Sequence, residues 1–281
     1  MHQRLPLSSS TPPNSREMRI LQHNCRGTYA VTIAALETAL ERDVDIVLIQ
    51  EPYVGREGKN RRTISHPGYQ LRWPFTTSRQ EIRTLIVIRK DIQNQFIFED
   101  RQDLAPEYSQ CIDIWELRDR QKEQFTRLFD IYNRRLNNPI RYSLDITNWD
   151  QRLAPRTILA GDFNSRSKRW DIHTSQEQCD TRIPDFIDNN ELILNNTMEK
   201  ATRKDARKDA IVQSTLDLTL TSNQLGPLPH WAIEDELTTP SDHEIILFAW
   251  TPLSKEETAT NSSWNLAALE RPQFRFNLPS N

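Results

Sequence analysis

Two short apolar runs, Ile46–Ile49 and Ile158–Ala160, end in the same way: the first on Gln50, Glu51 and Pro52, the second on Gly161, Asp162, Phe163 and Asn164. A run of this length without polar interruption reads as a strand covered on both faces, because a strand with one wet face would alternate. A sheet covered on both faces needs a further layer on each side. An acid placed directly after such a strand is therefore delivered to the rim of a core, and this chain does so twice.

The remaining pattern fits that frame. Met18–Asn24 reads as a short strand, and Tyr29–Leu40 carries Ile33, Leu36 and Leu40 at helical spacing. Gly55–Arg62 is a connection rich in Gly and in Lys/Arg. Strands are expected at Tyr69–Trp73, Thr84–Ile88, Ser109–Leu117 and Phe125–Tyr132, and a short helix at Asp145–Leu153. Ile183–Asn190 is helical, Leu192–Leu194 is a strand, and Glu199–Asp209 reads as a charged, exposed connection. Late strands at Ser214–Leu220 and Ile245–Trp250 flank a Pro-containing loop with Ser241, Asp242 and His243. Many strands with few helices predict an α/β sandwich, two sheets with helices outside. Residues 18–252 form one domain in this reading, preceded by a Ser/Pro/Thr-rich leader over 1–17 and followed by a loosely attached tail over 253–281.

Composition narrows the classes. Hydrophobic residues make up 36% and charged residues 27% of 281 positions, and the mean hydropathy is −0.71. These values describe a rather polar globular chain. No apolar run approaches the roughly 20 residues needed to span a bilayer, so no membrane partner is expected. Cys25, Cys111 and Cys179 are odd in number and lack zinc or disulfide spacing, which predicts reduced thiols and an intracellular setting. The net charge of −3 provides no overall basic field. A polyanion would have to be held by a local patch.

Four strand-to-loop junctions present acids, amides or imidazole: Asn24, Glu51, Asp162 with Asn164, and Asp242 with His243. A hard cation such as Mg²⁺ takes oxygen ligands and needs only one or two carboxylates beside a substrate phosphate, and Glu51 is the best placed of these. Asp162 could orient or deprotonate a water. Asn164, on the same face if the strand continues, could donate to a phosphate oxygen. His243 suits a phosphate contact or proton transfer, oriented by Asp217 on the preceding strand. Taken singly, each has a plain alternative: Glu51 a solvated loop acid, Gly161–Asn164 a tight turn, and His243 an ordinary loop histidine. The conjunction carries the chemical reading.

Together these junctions resemble the endonuclease/exonuclease/phosphatase superfamily, and more closely the apurinic/apyrimidinic-like endonuclease domain of non-LTR retrotransposons. Ile20-Leu21-Gln22-His23-Asn24 is similar to the family's first strand with its active-site Asn. Asp45-Ile46-Val47-Leu48-Ile49-Gln50-Glu51-Pro52 is similar to the strand ending in the metal-binding Glu. Ile158-Leu159-Ala160-Gly161-Asp162-Phe163-Asn164 resembles the catalytic Asp and Asn motif. Ser214-Thr215-Leu216-Asp217-Leu218-Thr219-Leu220, followed by Ser241-Asp242-His243, resembles the closing motifs in which the first Asp orients the His.

The resemblance runs from Met18 to Trp250 and implies a four-layered α/β sandwich. It also implies dependence on Mg²⁺ or Mn²⁺, and cleavage of DNA to leave a 3′-hydroxyl and a 5′-phosphate. Metal binding falls to Glu51, with Asp242 acting through water. Tyr132 matches the tyrosine that positions the scissile phosphate, although the Asn-Arg-Arg after it departs from the family's small residue and proline. Thr202 matches a backbone-contacting threonine. Arg166, Lys168, Arg169 and Trp170, and also Lys59, Arg61 and Arg62, are candidates to hold phosphate or stack on a base, against the plainer reading of a solvated basic face.

A reverse transcriptase module has no room in this chain, which suggests an excised domain, a truncated element or a host protein; action on genomic DNA would place it in the nucleus. Two rivals stand beside the DNA reading. One is another phosphoesterase of the superfamily, acting on RNA or a small phosphoester. The other is a catalytically silent binding module.

Overall fold

The computed structural model describes residues 17–251 apart from 58–59, 75–80, 118–123, 137–140, 177–178, 208–209 and 235–239. Residues Glu17–Trp250 form one compact unit. In chain order its first half comprises β1 (Met18–Asn24), α1 (Tyr29–Glu41), β2 (Ile46–Gln50), β3 (Gly55–Glu57), β4 (Asn60–Arg62), β5 (Tyr69–Arg72), β6 (Thr84–Arg89), β7 (Phe96–Asp100) and β8 (Gln110–Glu116). The second half comprises β9 (Thr126–Tyr132), β10 (Arg135–Leu136), β11 (Arg141–Tyr142), β12 (Thr157–Asp162), α2 (Arg182–Asn189), β13 (Leu192–Leu194), β14 (Arg203–Arg207), β15 (Ala210–Ser214), β16 (Asp217–Ser222), β17 (Ala232–Ile233) and β18 (Ile246–Trp250).

Two six-stranded mixed sheets carry the fold, in the orders β17-β18-β1-β2-β6-β5 and β13-β16-β12-β9-β8-β7. Each contains one parallel pair, β1 with β2 and β9 with β12. Between the sheets lies an apolar core with Ile20, Ile46, Leu48, Ile86, Ile112, Leu128 and Ile158. The outer face of the first sheet packs its Val47, Ile49 and Val87 with Val31, Ala35, Leu36 and Ala39 of α1. The second packs its Phe129, Ile131 and Leu159 with Ile183, Phe186 and Ile187 of α2. The result is a four-layered α/β sandwich, and it accounts for the apolar runs of β2 and β12: every residue of these strands is buried.

The period of two along each strand sets up the site. On the faces between the sheets, residues change from apolar to polar toward one end: Ile20, Gln22, Asn24 on β1; Ile46, Leu48, Gln50 on β2; Leu128, Asp130, Tyr132 on β9; Ile158, Ala160, Asp162 on β12. One end of the core is thus dry and the other carries hydrogen-bonding groups.

Four local expectations are corrected. Asp145–Leu153 forms only a single 3-10 turn, Trp149–Gln151, because Asp145 Oδ1 accepts from the Thr147 amide and Asn148 is left-handed at φ +55°. Within the expected connection, Gly55–Glu57 and Asn60–Arg62 pair as the antiparallel strands β3 and β4. The charged stretch Glu199–Asp209 contains β14, which pairs with β15 through its backbone and needs no apolar face. Ser214–Leu220 is broken between β15 and β16, where the Thr215 amide turns to Asp171 Oδ2 and Leu216 O accepts from Phe163 N. Among the described residues no helix is long and apolar enough to cross a membrane.

Candidate active site

Glu51 follows β2 in the left-handed region, φ +46°, a strained conformation for a side chain with a Cβ. Two backbone bonds hold it there: its N–H donates to Arg83 O at 2.8 Å, and its carbonyl accepts from Gly27 N at 2.7 Å. The carboxylate is turned toward the polar end of the core. Its Oε1 accepts from Tyr132 Oη at 2.8 Å and Asn24 Nδ2 at 3.4 Å, and Arg83 Nη1 reaches Oε2 at 3.2 Å. Burial, with the negative charges of Glu51 and Asp162, raises the Tyr132 phenol well above its ordinary range, so it remains a neutral donor.

Asp162 ends β12, and Gly161 makes its position possible. At φ +147°, a Cβ on Gly161 would lie 2.0 Å from Ile131 O on the paired strand β9, so only glycine lets the two backbones approach this closely. Asp162 is buried; Oδ2 accepts from Asn24 Nδ2 at 3.0 Å and Oδ1 from the Asn164 amide at 2.9 Å. Burial and the facing Asp217 carboxylate push its pKa up to about 7, against the pull of His243 and of its donors. Asn164 lies past the strand end at φ +46°, so it does not continue the alternation, and its backbone rather than its side chain holds Asp162.

Asp217 opens β16 and is the register partner of Asp162. His243 Nδ1 lies 2.9 Å from Asp217 Oδ2 and 3.1 Å from Oδ1. Burial opposes charge on this imidazole, but Asp217, Asp162 and Asp242 outweigh it and hold the pKa up at about 9. With Nδ1–H donated to Asp217, Nε2 is left on the side of Asp242, 4.0 Å from its Oδ1. The loop carrying His243 is tied back to β1 by Ser241, whose hydroxyl donates to Asn24 O at 2.8 Å and accepts from His243 N at 3.1 Å.

Several sequence candidates take other places. Thr202 is fully buried; its hydroxyl donates to Asp217 Oδ2 at 2.8 Å and accepts from the Leu216 and Asp217 amides, so it orients Asp217 and has no surface for a backbone contact. Trp170 is 0% exposed in the outer core of the second sheet and donates through Nε1 to Ser165 O. It offers no face to a base. Arg169 is engaged with Asp188 and Pro184 O, Arg166 is half-buried and Lys168 exposed. Lys59 lies outside the described residues, and Arg61 and Arg62 sit on β4. Asp242 is held by Arg203 at 2.6 Å and Arg26 at 3.1 Å.

Sequence reading missed Arg26, Arg83 and Arg203, which cap the site's carboxylates. Only pairing reveals them: Arg83 precedes Thr84, the partner of Gln50, and Arg203 bridges the backbone of His243.

The donor set suits a hard divalent ion. Glu51 and Asp162 present carboxylate oxygens to the same Asn24 amide, and the nearby Cys25 sulfur is turned to His23 O. A cation would offset the charge that burial and Asp217 oppose at Asp162. The ligand atoms of Asp162, Asp217 and His243 also lie within 4.8 Å of one another, but both Asp217 oxygens are already used by His243 and Thr202.

Residues 126–247 match the family described as Endonuclease-reverse transcriptase. The endonuclease domain of TRAS1, a telomere-specific non-LTR retrotransposon, superposes with a TM-score of 0.62 at 19% identity, covering 85% of this chain and 100% of that one. This is the endonuclease/exonuclease/phosphatase fold. The motif resemblance thus agrees with the fold and, over residues 126–247, with the matched family. AP endonuclease LMAP from Leishmania major shares the fold at TM-score 0.59 and 10% identity, with 85% of this chain and 89% of that chain covered. So does the Neisseria 3′ phosphatase NExo bound to product DNA hairpin, at TM-score 0.51 and 15% identity, covering 84% and 100%. The search of curated proteins found no match.

Proposed function

We propose that this chain is a divalent-metal-dependent DNA endonuclease that nicks a target strand and leaves a 3′-hydroxyl and a 5′-phosphate, in the manner of a retrotransposon endonuclease. The observation that carries the reading is the Asp217–His243 pair beside the buried Asp162. DNA is the favoured substrate because the neighbours include a retrotransposon endonuclease, an AP endonuclease and a DNA-bound phosphatase. The arginines at the rim suit phosphates.

In the reaction a water oxygen bonds to phosphorus as the P–O3′ bond breaks, and the departing 3′-oxygen takes a proton from solvent water to become the hydroxyl. Asp162 accepts the water's proton, and Asn24 fixes the carboxylate that does so. Protonated His243, held by Asp217, donates through Nε2 to a non-bridging phosphoryl oxygen where charge accumulates. Tyr132 stays neutral and positions Glu51 or phosphate as a donor. Mg²⁺ or Mn²⁺, held by Glu51 with Asp242 acting through water, would supply Lewis-acid stabilisation of the phosphoryl and leaving oxygens.

The test is the chemistry of the ends. Plasmid nicked by the chain with Mg²⁺ should be extended directly by a DNA polymerase and should release labelled 5′-phosphate to a phosphatase. Ends that block extension, or turnover on RNA or small phosphoesters with none on DNA, would replace the reading.

A further inference from the structure

One layer below the catalytic groups, the two sheets meet through a pair that the mechanism above does not use. Gln50 ends β2 immediately before Glu51; Asp130 lies on β9 two residues before Tyr132 and on the same face. Both are fully buried, and Gln50 Nε2 donates to Asp130 Oδ1 at 2.5 Å across the gap between the sheets. The other two polar atoms of the pair, Asp130 Oδ2 and Gln50 Oε1, are buried without a hydrogen-bond partner.

An ionised Asp130 would leave both defects in place: a desolvated charge on Oδ2 and an orphaned amide oxygen. A single proton on Oδ2 removes both, since the new O–H can donate to Oε1 and close a ring of two opposed hydrogen bonds. The Gln50 amide and the backbone N–H of Leu85 on β6 pull toward the ionised form, and complete burial outweighs them. Gln110 on β8 and Ala160 on β12 are the register partners of Asp130 and bring no charge, and the Gln110 side chain is spent on Ile86 N and Arg72 O. The buried thiol of Cys25, itself pushed up by burial, lies within electrostatic range of Asp130. Burial likewise drives the Asp130 carboxyl well above the carboxylate range.

We propose that Asp130 is a neutral carboxylic acid locked to the Gln50 amide in a reciprocal pair, and that this pair is the clasp that sets Glu51 against Tyr132 across the two sheets. Asp130 is then a positioning residue. It touches no substrate, but it lies in series with the Tyr132–Glu51 bond of 2.8 Å, the next link between β9 and the end of β2. The role in turnover rests on the proposed function; the protonation state does not.

The experiment compares Asp130→Asn, which replaces the O–H donor by an N–H donor, with Asp130→Leu, which removes the pair. Infrared difference spectra of wild type against Asp130→Asn at about pH 9, above the range in which Asp162 ionises, should show a protonated-carboxyl band only in wild type. Asp130→Asn should keep wild-type turnover and Mg²⁺ affinity measured calorimetrically. Asp130→Leu should lose about 10- to 100-fold in kcat and in metal affinity, with KM for DNA little changed. Absence of the band overturns the neutral acid. An Asn variant as impaired as the Leu variant overturns the reciprocal pair, and an unimpaired Leu variant overturns the positioning role. Should Asp130→Leu not fold, the band and the Asn variant still decide. A wild type that hydrolyses no DNA would fail the functional reading instead, leaving the infrared result to judge the pair.

Discussion

Asp162 and Asp217 stand opposite each other on paired antiparallel strands, two buried carboxylates in one register position with His243 drawn to the second. Like charges this close cannot both be comfortable in a site shielded from water, and the environment separates their roles. Asp217 is neutralised by the imidazolium it holds. Asp162 is left as the basic carboxylate, with a pKa suited to taking a proton near neutrality.

This division predicts a bell-shaped dependence of kcat/KM on pH. Activity needs Asp162 ionised and His243 protonated, so it should rise through about pH 7 and fall through about pH 9. Because a bound cation favours the ionised carboxylate, higher Mg²⁺ should move the acidic limb to lower pH. Steady-state rates across pH at two metal concentrations check both limbs; a flat profile would remove Asp162 and His243 from proton transfer.

The same groups make stability depend on pH in a definite direction. His243 is raised above its unfolded value of 6.5, so its contribution is complete below 6.5 and lost as pH rises through about 9. Asp162 is raised above 3.8, so the fold favours its neutral form, and that contribution fades as pH rises from 3.8 through about 7. His23 acts oppositely: burial lowers it to about 4, which costs stability as pH falls below 6.5. Melting temperature should therefore decline from about pH 6.5 to about pH 9, and Asp162→Asn should flatten the early part of that decline. Calorimetric scans of both proteins across this range are the measurement.

Gly161→Ala should destabilise by at least about 2 kcal/mol. The added Cβ meets Ile131 backbone, which cannot swing aside, and φ is positive. Since the displaced strand carries Asp162, activity should fall together with the urea midpoint. A variant of unchanged stability would show that β9 and β12 can separate without cost.

Arg26 and Trp170 separate grip from scaffold. Arg26 is more than half exposed and pairs with Asp242 at the rim, so Arg26→Ala should weaken DNA binding for all sequences and reduce the salt slope by about 1. Trp170→Phe leaves a buried site with its hydrogen bond to Ser165 O broken. It should lower stability and leave the salt slope unchanged. Fluorescence anisotropy at several salt concentrations, beside thermal melts, distinguishes the two.

The sequence made legible what depends on local pattern. The apolar runs of β2 and β12, buried throughout, announced covered sheets, and Glu51 and Asp162 came with them as strand-end acids. His243 and Asp217, 26 residues apart, became a pair only through the motif they share, and the structure places them 2.9 Å from each other. What was hidden depends on pairing. Arg83 reaches Glu51 because β6 lies beside β2, and Gln50 meets Asp130 because two sheets face each other. Trp170 misled because a tryptophan after basic residues reads as a stacking surface, whereas here the loop folds it into the core under α2. The backbone-paired β14 carries no periodicity to read.

The most direct measurement is conversion of supercoiled plasmid to open circles by the purified chain with Mg²⁺, beside EDTA and the His243→Ala variant. Nicking abolished by EDTA and reduced by roughly 10²- to 10⁴-fold in His243→Ala, as expected for loss of an acid–base group, is the predicted result. Undiminished nicking by His243→Ala, or a folded wild type that leaves the plasmid intact with metal present, would contradict the account.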